Sequence, residues 1–284
     1  MRVPELLSCL RSAAGARFAL SAVSFVLCAC AEDGRTELEG VFVDAVYPTA
    51  DRLPQNLLRF YVYFSVPMNR ETVRPAISLV DANGAAMDGV FLDEGVELWS
   101  SDGTRLTLLL NPARIKSGLR ARERLGAALV VGEEYTLVVD ARARGLSGAS
   151  LVPAHRKDFT VVAADSDGPD PSEWGLTAPR AGSRADVVVD VLAPCDHASL
   201  AHLLRVVDHH GDVVAGRVSA ASDETVWRFT PLVAWKQGHY RLVVHDSFED
   251  IAGNRVGRSF ESKTGVANGA SPEPSTLERS FDIR

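Results

Sequence analysis

The chain has 284 residues, of which 46% are hydrophobic and 24% charged, a balance that builds ordinary globular domains and excludes a largely disordered protein. That length holds two domains of common size. A net charge of -7 excludes the basic footprint of a nucleic-acid binder, and 7% aromatic residues leave few rings on which bases or sugars stack.

At the N-terminus, Arg2, Arg11 and Arg17 accompany an apolar stretch from Phe18 to Leu27. The stretch is shorter than the roughly 20 apolar residues that span a bilayer, and the layout is that of an export signal. It ends in Leu27-Cys28-Ala29-Cys30. This order of apolar, variable and small residues before a cysteine resembles a bacterial lipobox. The resemblance implies cleavage after residue 29 and diacylation of the Cys30 thiol, so that residues 1–29 are a lipoprotein signal peptide and 30–39 a polar tether. Each buried methylene of an acyl chain contributes about 0.8 kcal/mol, and a lipidated Cys30 holds the chain at a membrane of the cell envelope. Ala31, standing where some lipoproteins carry a retaining aspartate, leans toward the outer membrane where a cell has one. Cys9, Cys28 and Cys30 lie in this leader, which leaves Cys195 alone in the body and no disulfide within it.

From residue 40 onward the chain reads as strands. Leu58 to Phe64 places Leu58, Phe60, Val62 and Phe64 on one face. Arg105 to Leu110 and Glu134 to Val139 follow, then Asp186 to Val191, Thr225 to Phe229 and His239 to Val244. Phe-containing strands at Asp158–Val161 and Ser280–Ile283 close each half. These β-branched and aromatic runs, separated by turn residues, predict an all-β sandwich architecture. Asp81-Ala82-Asn83-Gly84 and Asp208-His209-His210-Gly211 have the composition of tight turns.

The two halves repeat. Pro67 and Pro194, Asp81 and Asp208, Gly84 and Gly211, and Gly89 and Gly216 share an offset of 127 residues. The Tyr135 and Tyr240 strands match at an offset of 105, so the first copy carries 22 extra residues, the difference of the offsets. These lie near Ala113 to Ala128, a stretch that reads as a short helix or a loop. Acidic, Pro- and Gly-rich residues 164–173 form the linker, and Gly265 to Ser275 reads as a loop before the last strand.

Phe64-Ser65-Val66-Pro67-Met68 followed by a Leu-Val-Asp-x-x-Gly turn, together with Asp250-Ile251-Ala252-Gly253-Asn254 in the second copy, resembles the bacterial Ig-like domain of the SbsA type. The resemblance implies two tandem Ig-like antiparallel sandwiches, at residues 40–163 and 174–284. In the first copy the Asp-x-Ala-Gly-Asn turn is reduced to Gly145-Leu146-Ser147-Gly148, and in the second Cys195 replaces Met68. Such domains serve as spacers, wall modules and binding modules.

Six of the seven histidines lie in the second half. His239 and His245 share a strand face with Arg241, and Trp235 lies in a loop that looks exposed. These three are the candidates for ligand binding, with a glycan, peptide or metal as the ligand. The opposing expectations are solvated histidines and a Trp235 packed over the sandwich edge. The histidine spacings match no metal signature, so no metal is expected. The oxygen-rich run Asp246, Glu249, Asp250, Asn254 lacks the spacing of an EF-hand and reads as a turn in which Asp250 and Asn254 bond backbone amides. No Gly-x-Ser-x-Gly, His-Glu-x-x-His or phosphate-binding glycine loop occurs. The expectation is therefore a non-catalytic envelope lipoprotein without cofactor, acting as spacer, scaffold or adhesion module with an envelope protein or glycan as partner. The alternative is a ligand-binding accessory protein acting through the second domain.

Overall fold

Among the described residues, fifteen strands in four sheets carry the fold, and the same strand order occurs twice. The computed structural model describes residues 40–92, 98–115, 126–221, 223–256 and 276–284. The lipobox, with Cys30, the middle of the 22-residue insertion and the loop before the last strand lie outside the described residues.

In the first half, β1 (Val43–Tyr47), β3 (Arg59–Phe64), β6 (Arg105–Leu109) and β5 (Leu98–Trp99) form one sheet in the order β1-β3-β6-β5. Its partner sheet is β2-β8-β7-β4, built from β2 (Arg52–Pro54), β8 (His155–Val162), β7 (Glu134–Val139) and β4 (Ile77–Asp81). β2 runs parallel to β8, and every other pairing is antiparallel. In the second half, β9 (Gly175–Thr177), β10 (Val187–Asp190), β13 (Val226–Pro231) and β12 (Gly216–Ala221) take the order β12-β13-β10-β9. β11 (Leu204–Asp208), β14 (Gly238–His245) and β15 (Thr276–Ile283) form the facing sheet β11-β14-β15. With the short β2 of the first half left out of the count, the first, second, fifth and fourth strands of each half make one sheet and the third, sixth and seventh the other, which is Ig topology.

Alternation positions the cores. Phe60, Val62 and Phe64 on β3 face inward with Leu106, Leu108, Leu137 and Phe159. Val187 and Val189 on β10 meet Trp227, Phe229, Leu242 and Phe281. Neither core holds a disulfide, and Cys195 is a free, buried thiol in the second one, the small apolar role expected of it.

The repeat extends to side-chain bonds. Asp81 accepts hydrogen bonds from the amides of Asn83 and Ala85, and Asp208 from those of His210 and Asp212. The turns close on Gly84 and Gly211, at φ of 79° and 91°, where glycine carries no Cβ penalty. After β3 and β10 the chain makes helical turns α1 (Arg70–Val73) and α3 (His197–His202), capped by Asn69 and Asp196 at the same offset of 127. The insertion begins with the helical turn α2 (Pro112–Ile115).

The linker is fastened rather than free. Asn56 Nδ2 donates to the Asp165 carbonyl at 2.6 Å, and the Asp165 amide donates back to Asn56 Oδ1 at 2.9 Å. Arg279 on β15 binds the Pro171 and Trp174 carbonyls, and Trp174 is already part of the second core.

Candidate functional site

The densest set of buried polar groups lies where the second sandwich meets the first. Its centre is the Asp250–Asn254 turn after β14. Asp250 Oδ1 accepts from the Ala252 and Asn254 amides at 2.8 and 2.9 Å, and Asn254 Nδ2 donates to Asp250 Oδ2 at 2.8 Å. The same Asn254 amide group donates to the Asp165 carbonyl at 3.1 Å. The turn thus closes on itself, as its composition predicts, and also grips the linker. Its tip docks: the Leu58 amide donates to the Ile251 carbonyl at 3.0 Å, and the Ile251 side chain is buried in the core of the first sandwich. A residue of one module completing the other's core makes the two a single packed unit, here Gly40–Arg284.

Charged and aromatic groups surround this contact. Arg59 on β3 pairs with Glu249 and lies 3.8 Å from Asp196. Tyr61 donates its hydroxyl to Asp196 at 2.8 Å. Asp196 also caps α3 through the Ser199 amide at 2.9 Å. The His197 ring stacks on Tyr47 at 3.5 Å between centroids and meets Tyr63 edge-on. At the rim, Glu224 receives the Thr49 amide and hydroxyl at 2.8 and 2.7 Å. Asp223 and Glu224 both sit in the left-handed region, at φ of 60° and 59°. Two adjacent non-glycine residues there are costly, and the bonds from Thr49 hold Glu224 in place.

Burial dominates the titration of these groups. It lifts the Asp250 carboxyl to about 7 against the opposing Asn254 bonds, with the nearby Asp165 charge adding to the rise. It also raises Glu224 and depresses His197 to about 4. His197 Nδ1 has no hydrogen-bond partner, and burial outweighs the Asp196 carboxylate, which pulls the other way. These are the marks of a structural joint. Cys195, beside Asp250, is buried with its thiol pushed well up, the opposite of an activated cysteine.

The residues singled out from the sequence lie elsewhere and do not converge. Trp235 follows the expectation of a ring packed over the sandwich edge and not that of an exposed, ligand-stacking one. Its indole is 4% exposed, packs against Phe229 and Tyr240, and donates to the Ala185 carbonyl at 2.8 Å. It seals the far end of the second core, so it offers no face to a sugar. His239 is exposed and pairs with Asp282 across the β14–β15 ladder. His245 is half-buried and accepts from the Ser247 amide at 3.1 Å. The two histidines stand about 20 Å apart along one strand. Among the described residues, no three His, Cys, Asp or Glu side chains are grouped to hold a metal. An open groove of about 890 Å³ runs over β7 and β8, lined by polar groups including Asp81, Glu134, His155 and Lys157. Its aromatic members, Tyr135 and Phe159, are buried in the core.

Sequence reasoning reached the Asp250–Asn254 turn but not its docking. The signal it passed over is the second face of β3. Tyr61 and Tyr63 alternate with the core residues and sit beside Tyr47, and three tyrosines on an outward face mark a face that something covers.

Fold and joint together define a chain of two tandem Ig-like β-sandwiches, fixed end to flank by a buried polar contact. No family model and no curated protein matches it. Among solved structures it is similar to the N-terminal part of the bacterial S-layer protein SbsC, at 14% identity and a TM-score of 0.29 over 72% of this chain and 40% of that one. It is also similar to the N-terminal Ig1-2 module of the Drosophila receptor protein tyrosine phosphatase DLAR, at 13% identity and a TM-score of 0.24 over 72% and 90%. An I-band fragment of titin aligns at 10% identity and a TM-score of 0.22 over 86% and 65%. The chain spans less than half the length of the SbsC fragment.

Proposed function

We propose that this protein is a lipid-anchored, non-catalytic envelope protein in which two Ig-like modules of the SbsA type form one stiff spacer or scaffold. The observation that carries the reading is the joint. Ile251 lies in the neighbouring core, and the linker is bonded at Asp165 to Asn56 and Asn254. A flexible binder gains from modules that reorient, whereas a spacer gains from modules that do not. The anchor in this reading is the acylated Cys30, which fixes one end of the spacer at a membrane and presents the other end to an envelope protein or glycan. The alternative, a ligand-binding accessory protein, loses its stacking platform with the burial of Trp235.

Two experiments test the proposal. Cys30→Ala should accumulate as unprocessed precursor, and a variant that still runs at mature size defeats the lipoprotein assignment. Protease shaving of intact cells, read with an antibody to residues 174–284, places the second module. Loss of signal assigns it to the cell surface, and protection until lysis assigns it to the periplasm.

A further inference from the structure

The duplication gives each residue of the joint a counterpart on the other sandwich. On the docking side, Glu249, Ile251 and Asn254 correspond at the offset of 105 to Arg144, Leu146 and Ala149, and His197 corresponds at 127 to Arg70. On the receiving side, Asn56, Leu58, Arg59, Tyr61 and Tyr63 correspond at 127 to Ser183, Ala185, Asp186, Val188 and Asp190. Backbone bonds keep both registers. The Asp250 amide donates to the Asn254 carbonyl as that of Gly145 does to Ala149, and the Asp196 amide donates to Glu249 as that of Asn69 does to Arg144. Phe60 and Val62 face the first core as their counterparts Val187 and Val189 face the second. The first sandwich therefore carries its own copy of the docking end, and the second its own copy of the receiving flank. Both copies lie open: Arg70, Arg144, Leu146, Ala185 and Asp190 are all exposed.

The differences between the copies come in complementary pairs. In the joint, Glu249 pairs with Arg59. At the open ends the same two places hold Arg144 and Asp186, with the signs exchanged. His197 lies against Tyr61 and Tyr63 in the joint, and the matching places hold Arg70 against Val188 and Asp190, so an aromatic contact becomes an ionic one. Asn56 and Asn254, which grip the linker at Asp165, give way to Ser183 and Ala149. The apolar tip is kept: Leu146 is 73% exposed where Ile251 is buried. The Leu58 amide, which binds the Ile251 carbonyl, is matched by that of the exposed Ala185. Beside it, Leu232 and Val233 stand exposed just past Thr230, whose hydroxyl binds Asp186 at 2.6 Å. The match is one of position and not of net charge, because Asp140 pairs with Arg142, Glu71 stands next to Arg70, and Arg70 lies over the Trp99 ring. On the receiving flank, Arg184 is turned to the Pro231 carbonyl.

We infer that the Leu146 turn of one chain docks on the β9–β10 flank at Asp186 of a second copy, head to tail, repeating the internal joint between molecules. Leu146 then takes the place of Ile251, Arg144 meets Asp186, and Arg70 meets Asp190. Each chain has one docking end and one receiving flank, so the contact is heterologous and gives rows or rings of copies rather than a two-fold dimer.

The test is site-directed cross-linking of residues 31–284, which contain both cores and a single cysteine, the buried Cys195. Cys30 is left out, so the outcome stands apart from the lipoprotein reading. Leu146→Cys and Ala185→Cys are made on separate chains and mixed at about 1 mM, the order of effective concentration that a short linker gives an internal contact. A short bismaleimide joins thiols that meet, and peptide mass identifies the products. The inference predicts a 146–185 product in clear excess over 146–146 and 185–185. Arg144→Glu in the first chain sets two acids face to face and should lower the yield about tenfold or more. Asp186→Arg in the second chain should then restore it, with unchanged melting temperatures as the folding control. No product, equal amounts of the three products, a yield that Arg144→Glu leaves unchanged, or a charge exchange that fails to restore it overturns the inference. Failure of the Cys30 processing assay, by contrast, counts only against the lipoprotein reading.

Discussion

Single residues show how shared letters serve different physics. Gly89 and Gly216 occupy the same place in the repeat, yet Gly89 has φ of 62° whereas a Cβ on Gly216 would lie 2.3 Å from the Phe229 ring. One needs a left-handed backbone and the other needs room. Trp235 is the residue whose environment was least legible. Its neighbours Leu232 and Val233 are exposed, and a loop of that composition gives no period from which the direction of one indole can be read. Its burial makes it a stability determinant. Trp235→Ala should cost about 3–5 kcal/mol, the range for a large core aromatic, measured as a drop in denaturant midpoint at unchanged slope. An unchanged midpoint would return Trp235 to the surface.

At the scale of elements, the strands were legible because alternation reports burial directly. The runs at Arg105, Glu134 and His239 became β6, β7 and β14 within a residue or two of the expected bounds. The joint was not, because the polar residues of a docking turn have the same composition as those of a solvated one. Two of its titrating groups, Asp250 and His197, make opposed contributions to stability. Asp250 is raised to about 7, so the folded state binds the extra proton between the ordinary carboxylate range and pH 7, and this contribution falls as pH rises through that window. His197 is depressed to about 4, so the unfolded state binds the proton between pH 4 and 6.5, and this contribution is lost as pH falls. The two contributions oppose each other between pH 4 and 7. Asp250→Asn should leave a stability that rises with pH over this range, and His197→Gln one that falls. Melting temperatures read at half-unit steps check both signs, and parallel slopes in the two variants would refute the assignment.

For the whole molecule, the number of modules was legible from four residues in register, because a duplicated fold repeats its turns. The relation between modules was hidden, because it depends on where Ile251 lands, and an isoleucine in a turn looks the same whether it meets water or a neighbouring core. The linker illustrates this too: acidic and rich in Pro and Gly, residues 164–173 read as a linker with no sign of what holds it, and Asp165 is held from both sides by Asn56 and Asn254. Ile251→Asp places a charge in the first core and removes the wedge. It should cost several kcal/mol and split one cooperative thermal transition into two. The claim that two Ig-like modules act as one rigid body is tested most directly by pulsed EPR distance measurement between spin labels at Ala86→Cys and Ser219→Cys, exposed sites on different sandwiches. The account predicts a single narrow distance distribution that broadens in Ile251→Asp. A broad distribution in the otherwise native chain would contradict it.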